Sequence, residues 1–428
     1  MSSGDVGYWP SRWPSEDGGG ERKQLPLSGK GLNLKSGDDA RVVSREVIAA
    51  TMAVLREPGE IYLLRHTAGD DAISWVERID PETLELIERS PDLLGGPTWP
   101  GGLAAHANGS LYVVFGNHAH RLNPDTSVVL SVELPRKRPY NSFVILPDGN
   151  IATKDFAGLR PGQTGKVPGP ANSELLVLAA ESLEIIDRLE LPEPSIARLS
   201  ARPTGGAGAD IYLVGDTSLL RVRWDGAKLK LDNDFVAPYR TFAGQTYGWD
   251  AVITENDAWF LDNGAGSENY TGTFRGAGVS SAPLHLVRVN LKTGAVSYSE
   301  ICGKPNGVVA NPPVVDETRK IVVGFDSANG VMAAFDYDEL GNTTLRWQRD
   351  QYHACHMILF PDTGEIITAD FDHERMTEQS VILDTESGEE KARIDSGSPV
   401  QSVVFPNPGF GRDFYTCSFT TISRISFS

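Results

Sequence analysis

Cysteine is scarce in this sequence, which has only Cys302, Cys355 and Cys417 among its 428 residues. An odd, sparse set predicts neither a disulfide framework nor a paired-cysteine metal site. No apolar run approaches the roughly 18–20 residues that span a bilayer, and the first residues lack the apolar centre of a secretory signal. We therefore expect a cytoplasmic protein without a membrane partner.

Positive charge is also in short supply. The chain has 39 Lys and Arg residues against 57 Asp and Glu residues, which gives a net charge of −18 and a pI near 4.9. Such a surface repels the phosphates of DNA and RNA, so we expect no nucleic-acid partner. There is no GxSxG elbow, phosphate-binding loop or dinucleotide fingerprint after a strand. The expected partner is a small-molecule substrate.

Long amphipathic helices are missing, and short β-rich runs fill the chain from about residue 45 onwards. Runs such as "GSLYVVFG", "ADIYLVGD", "RKIVVGFD" and "GEIITADF" recur with three shorter neighbours each. Four antiparallel strands per unit, repeated around a ring, predict an all-β fold, namely a β-propeller of about eight four-stranded blades. Seven blades are an alternative, and so is a two-sheet sandwich or a solenoid.

The last unit, which ends in "TTISRISFS", lacks a fourth run. Either "ARVVSRE" or "KQLPLS", both from before residue 48, can supply it, so that N- and C-terminal segments close the ring. We therefore divide the chain into an N-terminal arm, residues 1–44, and a single propeller domain, residues 45–428. The arm is expected to lie loosely on the domain and to supply the closing strand.

Ligand sites of propellers collect on the face where the first strand of each blade begins, on loops held by a rigid scaffold. The positions that open the first strands of this chain are polar and aromatic. We expect the substrate-binding side chains among them: Trp99, Tyr140, Arg198, Tyr247 and Trp249.

Three opening positions carry side-chain oxygens. Asn141, Asp250 and Asn306 each stand six residues before the turn that ends their apolar run. Converging carboxylate and amide oxygens suit a hard cation, so this trio predicts a divalent metal site, with Ca²⁺ as the candidate ion. The alternative is structural, because Asn and Asp also cap turns through local hydrogen bonds.

Two histidines in "YHACHMIL" supply candidate acid–base chemistry. His353 and Cys355 alternate onto one face of their strand and His356 points to the other, and the sequence does not decide which face meets the channel. An imidazole changes charge near neutral pH, so we expect His353 or His356 to be the general base or acid. A satisfied core position is the alternative for each.

Two further features recur or stand out. The second strands of most blades end in an Asp, namely Asp155, Asp216, Asp262, Asp326 and Asp370. We interpret these residues as turn caps, because an enzyme needs only one site.

The connections at 157–174 and 264–283 are long enough to be lids over the channel mouth, with plain surface insertion as the alternative.

Several segments resemble one family. "RPYNSFVILPDGNIATKDF" and "KPNGVVANPPVVDETRKIVVGFDSANGVMAAFDYDELG" are similar to the Asn-containing blades of calcium-dependent lactonase propellers, and "LGGPTWPGG" is similar to their opening blade. That group includes gluconolactonases, regucalcin-like proteins and, more distantly, paraoxonases and strictosidine synthases. The similar segments cover about a fifth of the chain.

The resemblance implies a central Ca²⁺ held by a Glu, one or two Asn and an Asp. This ion would polarise the carbonyl group of an ester or lactone. Asn141 and Asn306 fall on the family's asparagine positions. The family's opening Glu falls on Gly96, and its acidic ligand falls near Cys355 or His356, so this chain departs from the pattern at both places.

The leading hypothesis is a metal-assisted hydrolase of the lactone or ester type, in which the metal stabilises the oxyanion as a Lewis acid. A lyase or isomerase using the same His and Asn set is the enzymatic alternative. The alternative of another class is a non-catalytic propeller that binds a ligand or a protein.

Overall fold

A computed structural model of the chain describes residues 6–157 and 171–428. It confirms the predicted fold class, an all-β propeller of eight four-stranded blades. Within these residues, helical structure is confined to two short 3₁₀ turns, Glu16–Gly18 and Ser267–Asn269. No helix in the described part of the chain is long and apolar enough to cross a membrane.

Strand β1 (Ala40–Glu46) precedes the first blade, and blades 1 to 4 then follow in chain order. Blade 1 has a fifth strand, β6, which pairs with β4. The strands are β2 (Ala50–Leu55), β3 (Ile61–His66), β4 (Ala72–Ile79), β5 (Leu86–Arg89) and β6 (Leu93–Gly96) in blade 1; β7 (Gly102–Ala105), β8 (Leu111–Phe115), β9 (His118–Leu122) and β10 (Val128–Glu133) in blade 2; β11 (Tyr140–Ile145), β12 (Ile151–Asp155), β13 (Glu174–Leu178) and β14 (Ile185–Glu190) in blade 3; and β15 (Ser200–Gly205), β16 (Gly208–Val214), β17 (Ser218–Trp224) and β18 (Leu229–Pro238) in blade 4.

Blades 5 to 7 repeat the plan, and blade 8 contains three strands from the end of the chain. The strands are β19 (Val252–Ile253), β20 (Asp257–Leu261), β21 (His285–Asn290) and β22 (Val296–Glu300) in blade 5; β23 (Val314–Asp316), β24 (Ile321–Asp326), β25 (Val331–Tyr337) and β26 (Thr343–Asp350) in blade 6; β27 (Ile358–Phe360), β28 (Glu365–Asp372), β29 (Thr377–Asp384) and β30 (Glu390–Asp395) in blade 7; and β31 (Asn407–Pro408), β32 (Asp413–Cys417) and β33 (Thr421–Phe427) in blade 8.

The place of a strand in its blade sets its burial. The second strands lie between neighbouring blades, and β8, β12 and β20 are buried at every residue. The fourth strands form the rim, and β10, β14 and β30 alternate between exposed and partly buried residues. Mainly apolar runs therefore become inner strands, and alternating runs become rim strands.

The two ends of the chain complete blade 8, as predicted. β1 pairs antiparallel with β33 along its whole length, from Ala40 opposite Phe427 to Glu46 opposite Thr421. The closing strand is therefore "ARVVSRE" and not "KQLPLS", and it begins at residue 40, before the predicted domain boundary. Closure covers the edge of β33 that the C-terminal segment alone would leave open.

The remainder of the arm, residues 6–35, lies across the face where the innermost strands end. Five of its carbonyl oxygens accept backbone N–H groups at 2.7–2.9 Å from Leu55, Ala105, Ala201, Ile253 and Leu359. These donors belong to blades 1, 2, 4, 5 and 7, so the arm ties most of the ring together. The expectation of a loose arm is wrong for these residues, because the hydrogen bonds and buried side chains fix it to the ring.

The repeated Asp residues cap backbone groups, as the structural interpretation predicted. Four of the five accept an N–H from the start of a third strand, from the turn after the second strand or from the loop before the first strand. The bonds are Asp155 with Glu174 at 2.5 Å, Asp262 with His285 at 2.7 Å, Asp326 with Ala328 at 3.1 Å and Asp370 with Tyr352 at 2.7 Å.

Deleting residues 1–46 tests the closing role of the arm and β1. We expect the truncated chain to aggregate or to lose its cooperative unfolding, because β33 becomes an open edge and charges at the channel lose their partners. Circular dichroism during heating and light scattering measure both effects. A truncated chain that stays monodisperse with an unchanged melting temperature contradicts this role, and rescue by a synthetic peptide of residues 1–46 supports it.

Candidate functional site in the central channel

Charged side chains line the channel at one common position. Arg198, Asp250 and His356 each stand two residues before the innermost strand of their blade, and each is at most 3% exposed. Asp250 accepts the backbone N–H of Arg198 at 2.6 Å and its Nη1 at 2.8 Å. A buried ion pair therefore joins blades 4 and 5 at the channel wall.

The arm supplies further charges from the face of the propeller where the innermost strands end. Arg22 donates from Nη1 to Asp17 Oδ2 at 2.8 Å and from Nη2 to Glu16 Oε1 at 2.6 Å. It also reaches the ring, since its Nε donates to the carbonyl oxygen of Leu199 at 2.7 Å and its Nη2 to Ser142 Oγ at 3.1 Å. We call Glu16, Asp17, Arg22, Arg198, Asp250 and His356 the axial ionic layer.

His356 connects the arm to blade 7. Its Nδ1 lies 2.7 Å from Asp17 Oδ1, and its ring stacks on Phe405 with centroids 4.0 Å apart. The guanidinium carbon of Arg198 lies 4.8 Å from the centroid of the same phenyl ring. The sequence-based role of His356 as an acid or base stays a prediction. In the structure its contacts hold the arm against the wall of the channel.

The layer contains one carboxyl group that titrates near neutral pH. Burial raises the pKa of Glu16 to about 7, against the opposing effect of Arg22 and Arg198. Burial would raise the pKa of Asp17 too, but His356 and Arg22 outweigh it and hold that pKa below its ordinary value. At neutral pH, Asp17 is therefore ionised beside Arg22 while Glu16 is partly protonated.

The arm adopts left-handed backbone conformations where its polar side chains are buried. The φ angles of Asp17, Arg22 and Gln24 are 55°, 54° and 58°. Such a conformation costs a non-glycine residue roughly 1–2 kcal/mol. The ion pairs of the first two offset this strain, and Gln24 is held by bonds to the carbonyl of Pro313 at 2.7 Å and the N–H of Met357 at 2.6 Å.

An aromatic layer lies next to the ionic layer, towards the face where the innermost strands begin. The indoles of Trp99 and Trp249 stack with centroids 6.0 Å apart and planes 13° from parallel, and Phe156 meets Trp99 at 4.6 Å. The two indoles come from blades 2 and 5, so the contact reaches across the ring. Neither buried indole nitrogen has a hydrogen-bond partner among the residues that the structure describes. Trp249 is fully buried, whereas Trp99 is partly exposed.

The predicted lid at 264–283 crosses this entrance from blade 5 towards blade 8. Gln401 Oε1 accepts the N–H of Phe274 at 2.7 Å, and the hydroxyl of Tyr270 donates to the carbonyl oxygen of Gln401 at 2.6 Å. Phe274 is buried in an apolar cluster with Ala354. The loop therefore covers part of the channel mouth in this structure.

His353 occupies a core position. Its Nδ1 accepts the N–H of Ala369 at 2.9 Å, which leaves the proton on Nε2, and its ring meets Phe325 edge-on at 4.4 Å. Burial lowers the pKa of His353 to about 3, so the imidazole is neutral at physiological pH. These contacts favour the core alternative over the predicted general base.

The predicted aromatic wall divides into two groups. Tyr140 is fully buried in the core shared by blades 2 and 3, away from Trp99 and Trp249. Tyr247 is close to Trp249 because Gly264 packs against both. A Cβ added to Gly264 would lie 2.6 Å from the Trp249 indole nitrogen and 2.8 Å from the Tyr247 ring.

The register predicted for the metal trio is wrong at Asn306. Asp250 stands two residues before β19, whereas Asn306 stands eight residues before β23. The sequence interpretation placed a strand before the two prolines at 312–313, but proline cannot donate to a ladder and the strand begins after them. Asn306 is exposed, Asn141 lies in β11, and the side chain of Asn141 is outside the described residues, as are residues 158–170 of the other predicted lid.

The residues that the structure describes do not fit the predicted Ca²⁺ site. No group of three or more His, Cys, Asp or Glu side chains in residues 6–157 and 171–428 is arranged to hold a metal ion. Asp250, the one carboxylate of the predicted trio, has both oxygens bonded to Arg198. A cation there would meet a guanidinium group, so we assign no chemical step to a metal.

Comparison with known proteins supports the fold. No protein-family model matches the chain, and no curated protein matches it either. Among solved structures, the chain is similar to quinohemoprotein alcohol dehydrogenase from Comamonas testosteroni, with 10% identity and a TM-score of 0.61 over 97% of this chain and 81% of that chain. A europium-containing methanol dehydrogenase gives 9% identity and a TM-score of 0.62 over 95% and 89%.

BamB from Moraxella catarrhalis is also similar, with 10% identity and a TM-score of 0.54 over 89% of this chain and 100% of that chain. At such identities the likeness shows the propeller fold alone. The propeller part of the sequence resemblance is therefore confirmed, and its lactonase part stays a hypothesis. Sequence analysis named Arg198, Asp250 and His356 as site residues but missed the three members of the ionic layer from the arm, because "SEDGGGER" has the composition of a solvated loop.

Glu16→Gln tests the titrating carboxyl group. The pKa of Glu16 rises from 4.5 to about 7 on folding, so the folded chain keeps a proton that the unfolded chain has lost between these pH values. The contribution of Glu16 to the free energy of unfolding therefore falls by up to about 3 kcal/mol as pH rises from 4.5 to about 7, and it is constant above pH 7. We expect Glu16→Gln to remove this fall in urea unfolding from pH 5 to 8. The exposed control Glu339→Gln should retain it, and identical pH profiles for all three proteins would argue against the buried titration.

Arg22→Met tests the central cation of the arm. The substitution keeps the length of the side chain but leaves Glu16 and Asp17 without their guanidinium partner. We expect a loss of about 3–5 kcal/mol in the free energy of unfolding, as for other broken buried ion pairs. Arg188→Met is the matched control, because its side chain is 61% exposed. A loss below 1 kcal/mol for Arg22→Met contradicts the neutralising role.

Proposed function

We propose that the protein binds a small organic molecule at the channel entrance, against the indoles of Trp99 and Trp249. The observation that carries the proposal is a pair of buried indole N–H groups for which residues 6–157 and 171–428 provide no acceptor. A buried donor without an acceptor costs about 1–3 kcal/mol. Gly264, at the start of the 264–283 loop, packs on the Trp249 nitrogen, so in this proposal the loop moves aside and oxygen atoms of the ligand then satisfy the indoles and recover this energy.

The chemistry of the entrance limits the class of molecule that can bind there. Aromatic faces favour a flat, largely apolar molecule, and indole nitrogens only donate, so the ligand must present acceptor oxygens. A net charge of −18 disfavours polyanions. Neutral lactones, aromatic esters and quinones meet these conditions.

Hydrolysis of the bound molecule is the second candidate, and the "KPNG" segment favours it. Asn306 presents an exposed amide, has a φ of 58°, and donates its N–H to Ser280 of the 264–283 loop at 2.8 Å. Strained non-glycine residues cluster at functional sites. This observation favours the lactone or ester activity that the sequence resemblance implies, and the proposed hydrolysis has no metal-dependent step.

Binding is tested by calorimetric titration of the full chain with a panel of lactones, aromatic esters and quinones. Trp249→Phe and Trp99→Phe retain an aromatic ring but remove the N–H donor. We expect each to weaken binding about tenfold, which is the effect of one hydrogen bond of about 1.4 kcal/mol. The control is Trp347→Phe, whose indole donates to the Thr385 carbonyl at 2.9 Å. A ligand that binds equally to all four proteins contradicts this site.

Turnover is tested separately, by chromatographic detection of hydrolysed product. Asn306→Ala should lower kcat with little effect on ligand binding. Binding without turnover of any lactone or ester leaves the ligand-binding proposal intact and overturns hydrolysis. Elemental analysis of natively purified protein tests the original metal hypothesis, which requires one divalent ion per chain that Asn306→Ala loses.

A further inference from the structure

The rim of blades 1 to 3 carries exposed apolar side chains where the fourth strand of each blade begins. These strand ends lie on the side of the propeller that holds the arm, because the fourth strands begin at the face where the innermost strands end. Single exposed apolar residues are common on protein surfaces, whereas here a pair recurs in three consecutive blades. The apolar pairs, which are 36–54% exposed, are Leu86 and Ile87 in β5, Val128 and Val129 in β10, and Ile185 and Ile186 in β14.

The second residue of each apolar pair is a β-bulge. Ile87, Val129 and Ile186 have no partner residue on the third strand, because the pairing register shifts at each of them. The same bulge recurs in blades 6 and 7, where its residue is Arg346 and Lys391. A cation on an edge strand opposes association with another chain. Blades 1 to 3 lack this protection at a position where blades 6 and 7 have it.

The turns before these three strands are fixed in place. Each turn offers a carbonyl oxygen to a tyrosine hydroxyl from the second strand of the preceding blade. A surface held in this way loses little conformational entropy when a partner binds. The bonds are Tyr415 with Pro81 at 2.8 Å, Tyr62 with Pro124 at 2.8 Å and Tyr112 with Ala180 at 2.9 Å.

The same turns are negatively charged. Residues 80–85, 123–127 and 179–184 contain six Asp or Glu residues and no Lys or Arg. Glu85, Asp125 and Glu184 are exposed, and they form no ion pair with any residue that the structure describes. The exposed arginines of β5 and β14 stand two residues beyond the bulges and already face carboxylates, Arg89 with Asp92 at 2.6 Å and Arg188 with Glu174 at 3.8 Å.

We propose that the rim of blades 1 to 3 binds a basic amphipathic helix of another protein. The apolar pairs contact the apolar stripe of the helix, and the turn carboxylates face its Lys and Arg residues. Charge complementarity favours this occupant, since a second copy of the chain has a net charge of −18 and an anionic membrane is repelled as well. Addition of a strand is disfavoured, because a bulge interrupts the hydrogen-bonding pattern of each of the three edges. This binding is independent of the ligand proposed for the channel entrance.

The test is fluorescence anisotropy of a labelled amphipathic helical peptide of Leu and Lys, titrated with the full chain at low salt. The triple variant Ile87→Lys, Val129→Lys and Ile186→Lys gives blades 1 to 3 the cation that blades 6 and 7 carry at the same position. We expect it to bind the peptide at least about tenfold more weakly than the wild type. The substitutions are at exposed bulges, and thermal unfolding checks that the variant stays folded.

The matched control is the triple variant Ile48→Lys, Leu340→Lys and Met376→Lys. It adds the same charge at residues that are more than half exposed and lie outside this rim. Its affinity for the peptide should stay within about twofold of the wild-type value, because distant surface charges are screened. An equal loss of affinity in both triple variants would overturn the proposal, since the effect would then arise from net charge alone.

The double variant Glu85→Gln and Glu184→Gln tests the charge of the turns while the apolar pairs stay intact. We expect weaker binding at low salt and a smaller loss of affinity when NaCl is added. Failure of the peptide to bind the wild type would overturn the proposal, and so would equally tight binding of a peptide with Glu in place of Lys.

Measurements on the chain alone test the other occupants of the rim. Self-association in analytical ultracentrifugation that the three rim Lys substitutions abolish would assign the rim to a second copy. Binding to neutral phosphatidylcholine vesicles that the same substitutions abolish would assign it to a membrane. Either result would overturn the proposed helix.

Discussion

Charge buried at the channel axis has to be neutralised, and much of this structure follows from how the chain does so. Arg198 and Asp250 pair with each other, but the surrounding layer is completed only when the arm brings Arg22 with its own two carboxyl groups. Replacing one member leaves a partner without compensation in a region that water does not reach. The arm is therefore an internal component of the propeller.

This constraint also assigns different roles to the two ends of the channel. The face where the innermost strands end is occupied by the arm, and the ionic layer fills the axis above it. The opposite face carries Trp99 and Trp249, with unsatisfied donors, under a loop that reaches across the ring. A ligand therefore has a chemical reason to bind at the entrance, while the charged groups beneath it act as scaffold.

The sequence predicted the parts of the fold that recur locally. The strand-and-turn period predicted eight blades, and the missing run in the last unit predicted ring closure by "ARVVSRE" or its neighbour. Asn306 was assigned to the wrong register because an apolar run before two prolines has the composition of a strand without the hydrogen-bonding capacity of one. The partners of His356 and Arg22 could not be predicted, because they depend on contacts between residues far apart in the chain.

Completion of blade 8 has a consequence for the order of events during synthesis. β1 leaves the ribosome early but pairs with β33, which is made only after all the described strands between them. Until then the nascent chain holds the arm without its binding surface and carries exposed strand edges at both ends of an unfinished ring. Pairing of β1 with β33 is also slow, because it closes a loop of nearly the whole chain and so costs much conformational entropy. Shielding by chaperones is thus most needed just before β33 emerges, and loss of β33 would leave β1 without its partner and the ring open at blade 8.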